Sequence, residues 1–220
     1  MTPLPADPTL DELRVALAPL VAANAAFDGW TVRAVDAAAE TLGVVPAVAR
    51  LAFPEGAVGM IDAWFAHVDS AMAGRLPAET LARMKIRERI TALVEARLDL
   101  VAGDREALRR ALAILALPQN LARGARLGWR TADAMWRLAG DTATDYNHYT
   151  KRATLGSVYA ATITVFLQDE SEGWAETRGF LARRIENVMQ FEKAKAQLLG
   201  RSIYRPSLSR FIGRLRYPAV

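Results

Sequence analysis

The sequence predicts an all-α protein of about nine helices followed by a short basic tail. Apolar residues recur every three or four positions along nearly the whole chain, which is the period of an amphipathic helix. Alanine, leucine and arginine, all strong helix formers, are abundant, and β-branched runs are scarce. The 220 residues, 52% of them hydrophobic, suffice for a sizeable core and exclude an intrinsically disordered chain.

Capping residues, glycines and prolines set the N-terminal helices. Asp7 and Thr9 start the first helix, and Thr31 caps a second helix that ends at Gly43. Pro46 fits the first position of a short third helix, which ends before Pro54. A fourth and a fifth helix each carry one apolar face, over residues 61–72 and 90–101.

Four further helices complete the prediction. Asp104 opens the sixth helix, which stops by Pro118, and Asn120 opens the seventh, which closes at Gly140. The eighth and ninth helices span roughly residues 146–168 and 173–199, and Gly200 ends the ninth.

These boundaries predict three regions. They are a helix-turn-helix subdomain over residues 1–56, a larger helical domain over 57–200, and the basic tail over 201–220.

Catalytic signatures are missing from the sequence. It has no cysteine, and its two histidines, His67 and His148, are too far apart in the chain to form a metal pair on one helix. Nucleotide-binding loops and hydrolase motifs are also absent. We therefore expect no enzyme, no catalytic or metal-ligating residue and no cofactor. The N-terminus does not read as a secretory signal and no apolar run could span a membrane, so we expect a cytoplasmic protein.

The first 60 residues resemble the N-terminal half of a TetR regulator, through Gly29-Trp30-Thr31, Leu42-Gly43-Val44 and Phe53-Pro54. Their charge opposes a DNA-binding role, because they hold three basic and seven acidic side chains, a net charge of −4. The recognition helix offers one guanidinium, from Arg50, and no other polar side chain for phosphates or base edges. The sequence predicts a degenerate helix-turn-helix and no nucleic-acid partner.

The tail has the opposite charge. Residues 201–220 hold five arginines and no acid, so the chain's net charge of +4 arises there. Its apolar residues form one helical stripe flanked by arginines, which is typical of a helix lying on an anionic membrane. The alternative is that this helix packs on its own domain or on a sister subunit. The predicted membrane-binding residues are Tyr204, Arg205, Leu208, Arg210, Phe211, Ile212, Arg214, Leu215 and Arg216.

A polar group of side chains begins the eighth helix. Asp145, His148, Tyr149 and Arg152 share one helix face, roughly 90° from the apolar stripe of that helix. The face is thus free to meet a partner, and tyrosine and arginine are common interface residues. The alternative is a helix cap and a surface salt bridge.

The run MWRLAGDTATDYNHYTKR, residues 135–152, is similar to the signature of the Coq-nine family of ubiquinone-biosynthesis accessory proteins. The resemblance extends over roughly residues 24–195. It implies a non-catalytic TetR-like fold that has lost DNA binding and holds an isoprenoid quinone precursor or phospholipid. It also implies a C-terminal helix on the membrane surface, and hence a position peripheral to the inner membrane.

The resemblance further implies a surface patch that meets a quinone hydroxylase, notably a di-iron demethoxyubiquinone hydroxylase. Leu138, Asp145, His148, Tyr149 and Arg152 are the predicted partner-binding residues. The family usually has tryptophan where this chain has His148, which leaves the identity of the hydroxylase open.

Apolar side chains of the last three predicted helices could line the lipid pocket, although a solid core is the commoner fate of such residues. They are Trp129, Met135, Trp136, Tyr159, Phe166, Phe180 and Val188. By analogy with TetR proteins we expect a homodimer. The rival interpretation is a TetR-type DNA-binding regulator with a small apolar effector.

Overall fold

The computed structural model describes residues 5, 7–144 and 146–202. Within these residues the chain forms α-helices, three short 3-10 helices and no strand. The α-helices are α1 (Leu10–Asp28), α2 (Val32–Leu42), α3 (Pro46–Leu51), α4 (Ala57–Arg75), α5 (Ala78–Ala82), α6 (Ile86–Val101), α7 (Arg105–Leu115), α8 (Leu121–Leu138), α9 (Tyr146–Phe166) and α10 (Ala175–Ser202). The all-α prediction is confirmed.

The nine predicted helices are all present, and α5 is additional. Because α5 has only five residues, it is too short to show a helical period in the sequence. None of the helices in the described range is long and apolar enough to cross a bilayer.

The helices begin at the predicted residues, but the side chains of Thr31 and Asn120 do not cap them as Thr9 does. Thr9 and Glu12 form a reciprocal capping box at the start of α1. Thr31 precedes α2 without capping it, because its hydroxyl donates to the carbonyl oxygen of Asp28 over 3.1 Å. Asn120 likewise uses its amide on the carbonyl oxygen of Ile114, at 2.8 Å. Both side chains satisfy the preceding helix end instead of the following one.

The prediction that Gly200 ends the last helix is wrong, because α10 continues to Ser202. A glycine weakens a helix by about 1 kcal/mol relative to alanine, which does not suffice to end it. Gly43 does end α2, in the left-handed conformation with φ 67° and ψ 25°.

The chain divides into two compact units, with the boundary after Leu181 inside α10. In the first unit α1 packs against α2, α4 and α7. The buried Trp30 connects α7 to the N-terminal helices, because its indole nitrogen donates to the carbonyl oxygen of Ala107 over 3.0 Å. Its ring packs on Trp64 of α4, with centroids 5.4 Å apart. The predicted limits at residues 56 and 200 stay predictions.

Asp169 organises the turn between α9 and α10. Its carboxylate is buried and accepts four hydrogen bonds, from the backbone nitrogens and hydroxyls of Ser171 and Thr177, at 2.5–2.8 Å. Burial opposes ionisation, but the four bonds outweigh it and hold the pKa of Asp169 well below its usual range.

We expect Asp169→Asn to lower the free energy of unfolding by about 2 kcal/mol at pH 7, since an amide cannot accept four bonds. The carboxyl of Asp169 has a lower pKa in the folded state than in the unfolded state, where the pKa is about 4. Its ionised form therefore stabilises the fold fully at pH values above 4, and this stability is lost as the pH falls toward the folded-state pKa. The difference between Asp169→Asn and the wild type should therefore shrink below pH 4 in urea titrations. Asp99→Asn, at a carboxylate 43% exposed, is the matched control and should change little. An equal loss in both variants would contradict this account.

Candidate functional site

A buried arginine holds the corner between α8 and α9. Arg152 of α9 is 2% exposed, and its Nε donates to Asp133 of α8 over 2.6 Å. Its Nη1 donates to Asp141 in the connecting loop, at 3.0 Å, and to the backbone oxygen of His148, at 3.1 Å. The prediction that Arg152 lies on an exposed partner face is wrong. The loop folds back over this part of α9, so two carboxylates surround the guanidinium and offset its desolvation.

Asp141 completes the network. Its side chain is 5% exposed and also accepts from Lys151 Nζ over 2.6 Å. Burial opposes the charge of Asp141, but the hydrogen bonds from Lys151 and Arg152 keep its pKa below the usual value. Of the residues that the sequence suggested for a partner, Arg152 is therefore buried and supports the surface, whereas Tyr149 lies on the surface.

Three aromatic side chains form the outer surface of this corner, and we call Trp129, His148 and Tyr149 the aromatic cluster. Ring centroids lie 6.5 Å apart for Trp129 and His148, 6.0 Å for Trp129 and Tyr149, and 5.1 Å for His148 and Tyr149. Tyr149 is 62% exposed, Trp129 is 37% exposed and His148 is half-buried. Trp129, which the sequence suggested for the lipid pocket, lies in fact beside the predicted partner residues.

The ring of His148 is oriented by the loop. Its Nδ1 lies 2.9 Å from the carbonyl oxygen of Ala143, which can only accept, so Nδ1 is the donor of this hydrogen bond. Leu138 is half-buried at the end of α8. Asp145, another predicted partner residue, lies outside the described residues.

The other predicted pocket residues occupy separate environments. Met135 is fully buried in α8. Trp136 donates from its indole nitrogen to the backbone oxygen of Lys151 over 3.0 Å, and the Lys151 ammonium lies 5.4 Å from the ring. Phe166 packs edge-on against Trp174, with centroids 5.2 Å apart. Phe180 and Val188 are half-buried in α10. Lipid binding by these residues stays a prediction.

Tyr159 belongs to a buried polar cluster that the sequence analysis missed. Its hydroxyl accepts from Arg97 Nε over 2.8 Å, and the guanidinium lies 5.6 Å from the rings of both Tyr159 and Phe65. Arg97 is 2% exposed and forms an ion pair with Asp69. Burial raises the pKa of Asp69 despite that ion pair. No local sequence pattern predicts the ion pair of Arg97 and Asp69, because the two residues lie on different helices, 28 residues apart in the chain.

The corner between α8 and α9 lies inside the region that matches a known family, since residues 121–192 match the COQ9 family model. The chain belongs to the COQ9 family. Among curated COQ9 relatives it is similar to "Ubiquinone biosynthesis protein COQ9, mitochondrial" of Rattus norvegicus, 32% identical over 77% of this chain and 56% of the relative. The protein of that name in Homo sapiens is 30% identical over 77% and 55%. The chain thus spans about half the length of these relatives.

The fold of this COQ9-family chain also has a solved neighbour. A TetR transcriptional regulator from Nitrosomonas europaea ATCC 19718 superimposes with a TM-score of 0.63 and 25% identity, over 79% of this chain and 96% of the regulator. The family resemblance and the TetR-like fold predicted from the sequence are both confirmed.

The helix-turn-helix of α2 and α3 presents little for DNA to bind. Arg50, the cation of the recognition helix, donates to both carboxylate oxygens of Asp36, at 2.8 and 2.7 Å. These bonds raise the pKa of Arg50 and lower that of Asp36. The exposed side of α3 is apolar, with Val48 41% and Leu51 61% exposed. A neutralised guanidinium and an apolar face suit neither phosphates nor base edges.

Neither a metal site nor a lipid pocket is formed by two further features of the described residues. No group of three metal-binding side chains occurs among the described residues. An open cleft of about 500 Å³ lies between the start of α7 and the end of α9, and it contains none of the predicted lipid-binding residues. Arg105 and Arg109 in its wall donate to the backbone oxygens of Phe166 and Leu167, at 2.6 and 2.8 Å. These arginines terminate α9 and leave a charged wall unsuited to an isoprenoid chain.

We expect Arg152→Leu to lower the free energy of unfolding by about 3–5 kcal/mol at pH 7, because Asp133 and Asp141 lose their shared buried cation. Thermal or urea unfolding measures the loss, which should decrease as the pH falls through the lowered pKa of Asp141, because a protonated Asp141 no longer needs the cation. Arg137→Leu removes a surface arginine, 72% exposed, from the same Asp133 and is the matched control. Equal stability losses in the two variants would show that the buried bridge is unimportant.

Proposed function

We propose that this chain is a non-enzymatic accessory protein of ubiquinone biosynthesis that binds an isoprenoid quinone precursor and presents it to a hydroxylase. The observation that carries the proposal is the match of residues 121–192 to the COQ9 family, because these residues form α8, α9 and the aromatic cluster. The names of the curated relatives support the pathway.

A presenting role fits the chemistry of the site. The charged groups beneath the aromatic cluster, Arg152, Asp133 and Asp141, are bound to one another, so they serve a rigid surface better than proton transfer. Exposed aromatic side chains above a rigid base are typical of the centre of a protein interface. We assign the hydroxylase contact to the aromatic cluster together with Leu138.

The TetR-like fold favours one second candidate, a DNA-binding regulator with a small apolar effector. The pairing of Arg50 with Asp36 and the net charge of −4 over residues 1–60 oppose it. We therefore prefer the accessory role, in which the same fold holds a lipid in place of an effector. A homodimer, as expected from the sequence, belongs to this proposal.

The lipid is the part of the proposal that an experiment tests most directly. Gentle purification followed by native mass spectrometry should detect the protein with an adduct of isoprenoid quinone or phospholipid mass. Solvent extraction of the same sample should identify the lipid class. Protein that carries no such adduct after expression in a quinone-producing host would refute lipid binding.

We expect Tyr149→Ala to weaken binding to the purified quinone hydroxylase of the same organism by about tenfold or more, as truncation of a central aromatic residue does. Isothermal titration calorimetry measures the change. Phe27→Ala removes an aromatic ring that is 86% exposed on α1 and is the matched control. If both variants bind as well as the wild type, the aromatic cluster is not the contact.

Removal of residues 201–220 should abolish flotation of the protein with anionic vesicles, because all five arginines of the basic tail are lost. Residues 203–220 of this segment lie outside the described residues, so the expectation rests on the sequence. Vesicles without anionic lipid are the control for the charge requirement. Unchanged flotation of the shortened chain would place membrane contact elsewhere, and the peripheral location at the inner membrane would need another basis.

A further inference from the structure

The buried polar cluster joins four helices. It consists of Asp69 of α4, Arg97 of α6, Arg130 and Thr131 of α8, and Tyr159 of α9. The side chain of Asp69 is 12% exposed, and that of Arg97 is almost fully buried. Buried ion pairs usually stabilise a fold no more than apolar side chains of the same volume would. Stability alone therefore does not explain why these charges lie between the helices.

Two buried atoms of the cluster have no hydrogen-bond partner among the described residues. They are Asp69 Oδ2 and Arg130 Nε, which lie 3.6 Å apart. This distance allows an ion pair but is too long for a hydrogen bond. The carboxylate oxygen is an acceptor and the guanidinium nitrogen is a donor. A group that both donates and accepts would therefore satisfy the two atoms from one position between them.

Other contacts hold both side chains in this arrangement. Asp62 holds the Arg130 guanidinium, because its backbone oxygen accepts from Nη2 over 3.1 Å and its carboxylate pairs with Nη1. The second oxygen of Asp69 accepts from Arg97 and from Thr131. Burial raises the pKa of Asp69 although two arginines oppose the rise, as expected of a carboxylate with too few donors. Neither side chain can turn toward the other without weakening these bonds.

We propose that Asp69 and Arg130 bind the phenolic hydroxyl of an isoprenoid-substituted ring. The hydroxyl donates its hydrogen to Asp69 Oδ2, and its oxygen accepts from Arg130 Nε. The inference rests on the proposed function and specifies which end of the lipid is recognised. Two predicted lipid-binding residues are close to this position. Tyr159 belongs to the cluster, and Met135 lies one turn after Thr131 on the same buried face of α8.

Other polar heads fit less well. A quinone carbonyl can only accept, so it would leave Asp69 Oδ2 without a donor. A phosphate would bring negative charge beside Asp69, while the cations of the cluster are already matched, Arg97 by Asp69 and Arg130 by Asp62. The site therefore favours a phenol over the oxidised ring and over the head of a phospholipid.

Isothermal titration calorimetry of the full chain with three short-chain probes tests the site. We expect ortho-geranylphenol to bind about tenfold more tightly than its methyl ether or geranyl-benzoquinone, because only the phenol donates to the buried carboxylate. The ether lacks the donor but adds a methyl group. The quinone lacks the donor without that addition, so the two probes together separate the hydrogen bond from a steric effect.

Variants assign the preference to particular atoms. Asp69→Asn should lose most of the preference for the phenol, because the accepting carboxylate is gone. Arg130→Lys keeps a cation for Asp62 but lacks Nε, so it should weaken all three probes alike, and it serves if Asp69→Asn fails to fold. Asp104→Asn is the matched control, at a half-buried carboxyl outside the cluster whose pKa is also raised by burial. It should keep the full preference.

The outcomes separate this inference from the proposed function. Equal binding of the three probes by the wild type would mean that water satisfies the two atoms, which overturns the inference and leaves lipid binding intact. A preference that persists in Asp69→Asn would place the hydroxyl elsewhere and overturn it as well. If no probe binds, the inference fails. The proposed function fails with it only if native mass spectrometry also detects no lipid adduct.

Discussion

The guanidinium of Arg152 connects three parts of the chain that are separate in sequence: Asp133 of α8, Asp141 of the following loop and the backbone of α9. Each of these groups would be costly to bury alone, and the network exists because all of them are satisfied together. The loop that orients His148 and the helix that carries Tyr149 both depend on it. The exposed aromatic cluster is thus held in place by a buried guanidinium and two largely buried carboxylates.

In the N-terminal helices, the fold does not depend on the charges that α3 presents to solvent. The fold of a helix-turn-helix is kept by apolar contacts around α1, and these contacts are indifferent to what α3 presents outward. Once Arg50 is bound to Asp36, the outer face of α3 offers valine and leucine in place of donors. The scaffold and the chemistry of its outer face are therefore independent properties, which explains how a TetR-like fold can occur in a quinone-biosynthesis family.

Most of the fold could be predicted from the sequence, because helices of ten or more residues repeat their apolar face several times. The aromatic cluster was found only in part. His148 and Tyr149 share a helix face and were predicted together, but Trp129 joins them through the packing of α8 on α9, which no local pattern reveals. Arg152 was misplaced for the same reason, since its burial depends on Asp141 returning from the loop. Residues whose role depends on tertiary contact, such as Arg97 and Asp69, gave no signal at all.

The hydrogen bond from Trp30 to Ala107 has a consequence for how the N-terminal helices can move. Together with the packing of Trp30 on Trp64, it attaches the turn between α1 and α2 to α4 and α7. A DNA-binding helix pair that adjusts its angle to a groove needs a hinge, and this attachment opposes such a motion. It also makes the first 56 residues part of the folding unit of the larger domain. A chain that began at residue 57 would lose Trp30 and expose the face of Trp64 on which Trp30 packs, and an exposed apolar surface of this kind favours aggregation.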